Sequence, residues 1–201
     1  MTVRDARRGE RVYLTGFMGS GKSTVGPILA NTIGYEFADL DAVIEAGAGM
    51  TVAQIFRERG EPAFRDLERR AVASVAVRSR VVVALGGGVL LDPASLALVT
   101  GTGIMVYLRA TPEDIAGRLR RKKDRPLILD GGGVPLGDEA LLDRIRTLLA
   151  EREALYGAAE IIVDTDGTRL GLTVDRVVRR LTPFLPVFPD PDRTPRAGPA
   201  R

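Results

Sequence analysis

The sequence predicts an α/β fold: a parallel sheet covered by helices on both faces, the three-layer α/β/α sandwich of a P-loop protein. Three observations predict it. Short apolar runs alternate with helical periods throughout the domain, as βαβ crossovers require. The run Val81-Val82-Val83-Ala84-Leu85 is unbroken, as expected of a strand buried on both faces. Between a strand and a helix, Gly16-Phe17-Met18-Gly19-Ser20-Gly21-Lys22-Ser23 matches the phosphate-binding pattern G-x-x-x-x-G-K-[ST] without a mismatch.

Composition narrows the chemistry. The chain has 201 residues and 45% hydrophobic content, enough for one ordinary domain with its own core. Without cysteine there is no disulfide, thiolate nucleophile or Cys-bound metal. Without histidine, a general base near neutral pH falls to a carboxylate, or else to a lysine or tyrosine. The basic residues are 26 Arg and only 3 Lys, and one of those lysines is Lys22 in the phosphate loop. A compact ammonium is retained where a point charge is needed. No apolar run reaches membrane-span length, and residues 1–10 are charged, with no apolar signal-peptide core. A cytoplasmic monomer is expected, with no membrane or nucleic-acid partner. The basic segment lacks interleaved aromatics and net charge is only +3.

In order, 1–10 reads as a polar lead-in and Val12 to Thr15 as the first strand. Val25 to Ile33 then continues the helix after the loop, and Gly34 stops it. Glycines let the loop turn its N–H groups inward around an anion, and the helix dipole points its positive end at the same place. Gly19, Ser20, Gly21, Lys22, Ser23 and Thr24 are therefore nucleotide-site candidates. Tyr35 to Ala38 is a short strand ending in Asp39-Leu40-Asp41. Those carboxylates suit a metal and an acceptor at a phosphate site, and they equally suit the cap of the next helix.

Thr51 takes the N-cap position for Val52 to Arg59, Gly60 breaks the helix, and a second helix runs from Glu61 to Arg78 with Arg65 and Glu68 on one face. The buried strand at 81–85 ends in Gly86-Gly87-Gly88. Such a run suits backbone approaching a ligand at the strand end, or a plain flexible turn. Ile104 to Leu108 is a further strand, and Thr111-Pro112 opens a helix. That helix leads through Arg118 into a basic, Pro- and Gly-containing segment over 117–135, which suits a mobile lid over phosphates. Asp138 to Tyr156 is a long helix, Ile161 to Val163 a last strand, and Val174 to Leu181 a closing helix. The six prolines over 183–201 predict a disordered tail outside the 11–182 domain.

From Arg11 to about Leu181 the chain resembles the shikimate kinases. The resemblance rests on Gly16 to Gly26, Asp39-Leu40-Asp41, Phe64-Arg65 with Glu68, the 86–88 glycines, Arg125-Pro126-Leu127, and Arg152 before Leu155-Tyr156. It implies a nucleoside-monophosphate-kinase-like fold with five parallel strands and a mobile lid, and transfer of the ATP γ-phosphate to the 3-hydroxyl of shikimate in aromatic amino-acid biosynthesis. It implies Lys22, Asp41 and Arg125 as catalytic, and Arg118 and Arg125 on ATP beside the loop. Asp41, Phe56, Phe64, Arg65, Gly86, Gly87, Gly88 and Arg152 would form the shikimate pocket, with Ser23 and Asp39 on Mg²⁺. In one departure from the family pattern, the loop after the last strand is longer before Arg169. Another small-molecule kinase of this fold, such as a gluconate kinase, is the alternative enzyme. Paired arginines favour an acceptor that bears a carboxylate.

Overall fold

The computed structural model describes residues 8–120, 136–165, 167 and 169–186. Arg125 and the lid segment from 121 to 135 lie outside the described residues, as does most of the tail from 183. Five strands form one parallel sheet: β1 (Arg11–Thr15), β2 (Glu36–Asp39), β3 (Val81–Ala84), β4 (Ile104–Arg109) and β5 (Ile161–Asp164), in the order β2-β3-β1-β4-β5. The described helices are α1 (Lys22–Ile33), α2 (Leu40–Ala48), α3 (Val52–Ala76), α4 (Pro93–Thr102), α5 (Pro112–Leu119), α6 (Asp138–Gly157) and α7 (Leu170–Leu181).

Strand alternation divides the core in two. Tyr13, Val81, Val83, Met105 and Tyr107 face a cluster built with α2, α3, α5 and α6, including Ile44, Phe64, Val72, Ile115 and Ile145. Val12, Leu14, Val82, Val106, Leu108 and Val163 point the other way, onto Leu29 of α1 and Val177 of α7. Successive side chains of a strand leave on opposite faces, so continuous apolar strands require a helical layer on each side. This is the expected three-layer sandwich.

β1 is central and both neighbours, β3 and β4, run parallel to it. The chain leaves β1 toward β2 and β3 on one flank and later fills the other flank with β4 and β5. The carboxyl end of β1 is therefore the point where strand order reverses, which is where open α/β sheets bind ligands. The glycine loop follows directly.

Local chemistry fixes the ends of these elements. Gly34, at φ 71°, closes α1 by donating its N–H to the carbonyls of Ala30 and Asn31. Thr51 and Gln54 form a reciprocal capping box at the start of α3. Within α3, Gly60 has φ 78° and ψ 173°, a backbone conformation reserved for glycine, and it kinks the helix where the sequence placed a break. The segment 89–103, whose sequence shows no clear helical period, forms a 3₁₀ turn at Val89–Leu91 and then α4, whose cap is Asp92 accepting from Ser95 N–H. At the chain ends, Phe184 and Leu185, though inside the proline-rich tail, pack on the second core cluster. The Tyr35 hydroxyl donates to the Gly9 carbonyl across 2.9 Å. No helix of the described residues is long and apolar enough to cross a membrane.

Candidate active site

The phosphate loop has the backbone its glycines were expected to allow. Gly16, Gly19 and Gly21 lie at φ 133°, 84° and 110°, where an L side chain is strained. At Gly16 space is also short, because a Cβ would stand 2.6 Å from the Leu108 carbonyl oxygen. Gly21 is the N-cap of α1 and supplies no side-chain cap, and the first turn holds no carboxylate. The end of the helix thus presents backbone N–H groups and positive dipole without a built-in anion to neutralise them. Lys22 folds over the loop and donates to the carbonyls of Gly16 at 2.7 Å and Phe17 at 3.1 Å. Ser20 is buried, and Thr24 lies exposed in the first turn of α1.

Beside the loop, the Ser23 hydroxyl donates to Asp39 Oδ2 at 3.0 Å. The other carboxylate oxygen of Asp39 accepts from Asp41 N–H at 3.1 Å, so Asp39 also caps α2. The cap reading and the metal-side reading of Asp39 are compatible, since each uses a different oxygen. Hard hydroxyl and carboxylate donors in a small number are the set Mg²⁺ takes when phosphates and water complete its octahedron. Among the described residues, no cluster of three or more His, Cys, Asp or Glu forms an all-protein metal cage.

The three glycines after β3 lie against four side chains. A Cβ on Gly86 would lie 3.3 Å from Glu68 Oε1 and 3.4 Å from Asp41 Oδ1. One on Gly87 would lie 3.5 Å from Arg152 Nη1, and one on Gly88 only 2.8 Å from Arg65 Nη1. None of the three has a positive φ. A side chain would be crowded at Gly86 and Gly88, while a Cβ on Gly87 would make only ordinary contact. Asp41, Arg65 and Arg152 come from α2, α3 and α6 and meet along this triplet.

Each cation is anchored. Arg152 Nη1 donates to the Gly87 carbonyl at 3.2 Å, and its guanidinium carbon lies 5.6 Å from the centre of the Phe17 ring. Its Nε is buried and has no hydrogen-bond partner among the described residues. Arg65 donates Nη1 to Glu68 Oε2 at 2.8 Å. Burial pushes the Glu68 carboxyl above its usual range; the Arg65 bond opposes the rise, and the nearby charge of Asp41 adds to it. Phe64 is buried and Phe56 exposed, with ring centres 4.6 Å apart.

Arg118 also reaches the loop. It donates to the carbonyls of Gly19 at 3.1 Å and Ser20 at 3.3 Å, and to Thr165 O at 2.8 Å. It therefore ties the phosphate loop to the turn after β5. Sequence reading gave no role to Thr165, to Phe17 beneath Arg152, or to Tyr156, whose hydroxyl donates to the Gly87 carbonyl at 2.9 Å. Tyr156 lies one helical turn after Arg152, and that i,i+4 spacing was the available signal.

A family model described as shikimate kinase matches residues 18–182. A shikimate kinase of Chlorobium chlorochromatii is 46% identical over 174 residues, covering 87% of this chain and 92% of that protein. Among solved structures, a shikimate kinase from Bacteroides thetaiotaomicron superposes with a TM-score of 0.77 at 34% identity, covering 86% of this chain and 98% of that one. A shikimate kinase from Acinetobacter baumannii, solved in complex with shikimate, gives 0.78 at 31% identity over 87% and 93% of the two chains. The phosphate loop, the glycine triplet and the paired arginines thus occur in a chain that belongs to the shikimate kinase family, whose reaction is the ATP-dependent phosphorylation of shikimate that leads toward the aromatic amino acids.

Proposed function

We propose that this chain phosphorylates the 3-hydroxyl of shikimate through a specific division of labour among its residues. Arg65 and Arg152 hold the substrate carboxylate, and Phe56 and Phe64 flank the ring. Asp41 orients the acceptor hydroxyl and accepts its proton as oxygen attacks the γ-phosphorus and ADP leaves. The observation that carries this reading is the meeting of Asp41, Arg65 and Arg152 on the 86–88 glycines, at the same sheet edge as the phosphate loop. Two guanidinium groups fix a planar carboxylate in one orientation and leave the remote hydroxyl toward the nucleotide.

On the nucleotide side, the loop N–H groups and Lys22 bind the phosphates. Phosphoryl transfer asks chiefly for alignment and charge neutralisation, so Lys22 contributes more than any proton transfer. Arg125 belongs to the same reading through the family motif. Ser23 and Asp39 hold Mg²⁺, which supplies further neutralisation of phosphate charge when bound. Arg118 keeps the loop in register with the turn after β5. All these residues come from one chain, so we propose a monomer as the active unit, working in the cytoplasm.

The test is a coupled ADP-release assay offering shikimate, gluconate and nucleoside monophosphates in turn. Turnover with shikimate alone is expected. Preference for gluconate or a nucleotide would replace the acceptor assignment.

A further inference from the structure

Arg65 holds two carboxylates of different standing. Its Nη1 donates to Glu68, whose side chain is 4% exposed and forms part of the floor of the site. Its other edge, Nε and Nη2 together, donates to a single oxygen of Glu61, at 3.2 and 2.9 Å. Glu61 is 62% exposed. That second edge is the parallel pair of N–H groups with which a guanidinium grips a carboxylate side-on. Glu61 is aimed there by the backbone: the glycine-only conformation of Gly60 breaks α3, and Pro62 follows to restart it. Glu61 thus stands at the head of the new helical segment, one turn before Arg65.

From this geometry we infer that Glu61 is a displaceable stand-in for the substrate carboxylate. The inference rests on the assignment of Arg65 to that carboxylate. Glu61 occupies the Nε and Nη2 edge, and an incoming carboxylate must evict it, while Glu68 keeps its bond. Two carboxylates cannot share one fork without like-charge repulsion, so every binding event includes loss of the Glu61 ion pair. Glu61 therefore lowers affinity for the substrate. It also acts as a specificity device, because a ligand without a negative charge offers Arg65 no ionic replacement for Glu61.

The magnitude follows from the exposure of the pair. An exposed i,i+4 ion pair is a weak interaction, so its removal is felt as a change of about two- to fivefold in affinity. Arg65 needs no refolding when Glu61 leaves, because Glu68 still holds Nη1.

The experiment is calorimetric titration of the full chain with shikimate and, separately, with its uncharged methyl ester. Glu61→Gln is expected to bind shikimate about two- to fivefold more tightly than wild type, with no gain for the ester, and the gain should shrink at high salt. In the Arg65→Gln background, Glu61→Gln should bring no gain, since the coupling runs through Arg65. Unchanged or weaker shikimate binding by Glu61→Gln, with Arg65→Gln still impaired, overturns the displacement alone and makes Glu61 a bystander or a positioning arm. Normal shikimate binding by Arg65→Gln overturns instead the assignment of Arg65 to the carboxylate. An equal gain for the ester shows steric obstruction by Glu61 and also overturns the inference.

Discussion

Ser23 and Asp39 are bonded across 3.0 Å, although the hydroxyl sits in the first turn of α1 and the carboxylate at the end of β2. The contact gathers oxygen donors beside the phosphate loop, while the second oxygen of Asp39 caps α2. These two tasks separate on mutation. Asparagine is as good an N-cap as aspartate, so Asp39→Asn should keep its fold and melting temperature nearly unchanged. It loses the charge, and its apparent Mg²⁺ requirement should rise by at least about tenfold, the scale at which groups supporting a metal are felt. Titrating Mg²⁺ at fixed ATP reads this directly, and chelation of wild type should abolish turnover. An unchanged Mg²⁺ curve for Asp39→Asn would leave Asp39 as a cap only.

Lys22 rests on the carbonyls of Gly16 and Phe17 and takes no part in either core cluster. Lys22→Ala should therefore unfold within a few degrees of wild type, because the lost bonds are local and partly exposed to solvent. Turnover is another matter. Removing a main electrostatic stabiliser of the transferring phosphoryl group should cost about 10²–10³-fold. Single-turnover measurement at saturating substrates checks it, and a loss smaller than about tenfold would remove this loop from the reaction.

The legible parts of this protein in its sequence were those with local causes. The loop glycines, the Thr51 cap, the Gly60 break and the buried run at 81–85 each depend on residues a few positions apart. α4 was missed because Pro93-Ala-Ser-Leu-Ala-Leu-Val-Thr-Gly-Thr is small and apolar around most of its circumference, and so shows no clear polar stripe. The acceptor pocket was visible only as separate motifs. That Asp41 and Glu68 lie against Gly86, Arg152 against Gly87 and Arg65 against Gly88 depends on which helices cross the sheet edge, and no periodicity encodes that. Phe17 under Arg152 and Thr165 beside Arg118 are contacts of the same long-range kind.

Glu68 gives the site a pH signature. Its carboxyl is raised above an ordinary glutamate, first by burial. As pH falls through that raised value Glu68 takes a proton and its ionic hold on Arg65 is lost, so kcat/KM for shikimate should decline at a higher pH than an ordinary carboxylate would give. Glu68→Gln should lower the plateau and remove that limb. Stability moves in the opposite sense. The folded state holds the proton more tightly than the unfolded chain, so Glu68's contribution is full below about pH 4 and is lost as pH rises through the raised value. Denaturant unfolding of wild type and Glu68→Gln across this range should show the difference shifting in favour of the variant as pH rises. A pH-independent difference would mean that Glu68 titrates as it does in the unfolded chain.

Asp41 and Arg152 lie against successive glycines of the triplet and should fail in different ways. Arg152 is built into the pocket through the Gly87 carbonyl and the face of Phe17, and its role in the reading above is to grip the carboxylate. Arg152→Ala removes a charged hydrogen-bond partner, so shikimate affinity should fall by about 1.5–3 kcal/mol, with ATP affinity largely spared. Asp41 stands in the first turn of α2, with Oδ1 close above Gly86. Asp41→Asn preserves size while removing the charge that, in the proposed reading, orients and deprotonates the hydroxyl. Turnover at saturating shikimate should therefore drop by about 10²–10⁴-fold, and binding should change much less. The chain has no histidine, so no imidazole can take over the proton. Equilibrium binding and single-turnover rates measured on both variants separate the effects. If Asp41→Asn turned over shikimate at a near-normal rate, the carboxylate would be a helix-end residue and the proton would leave by another route. If Arg152→Ala lost turnover at saturation with its affinity intact, the arginine would be acting on the reacting phosphoryl group instead of the carboxylate.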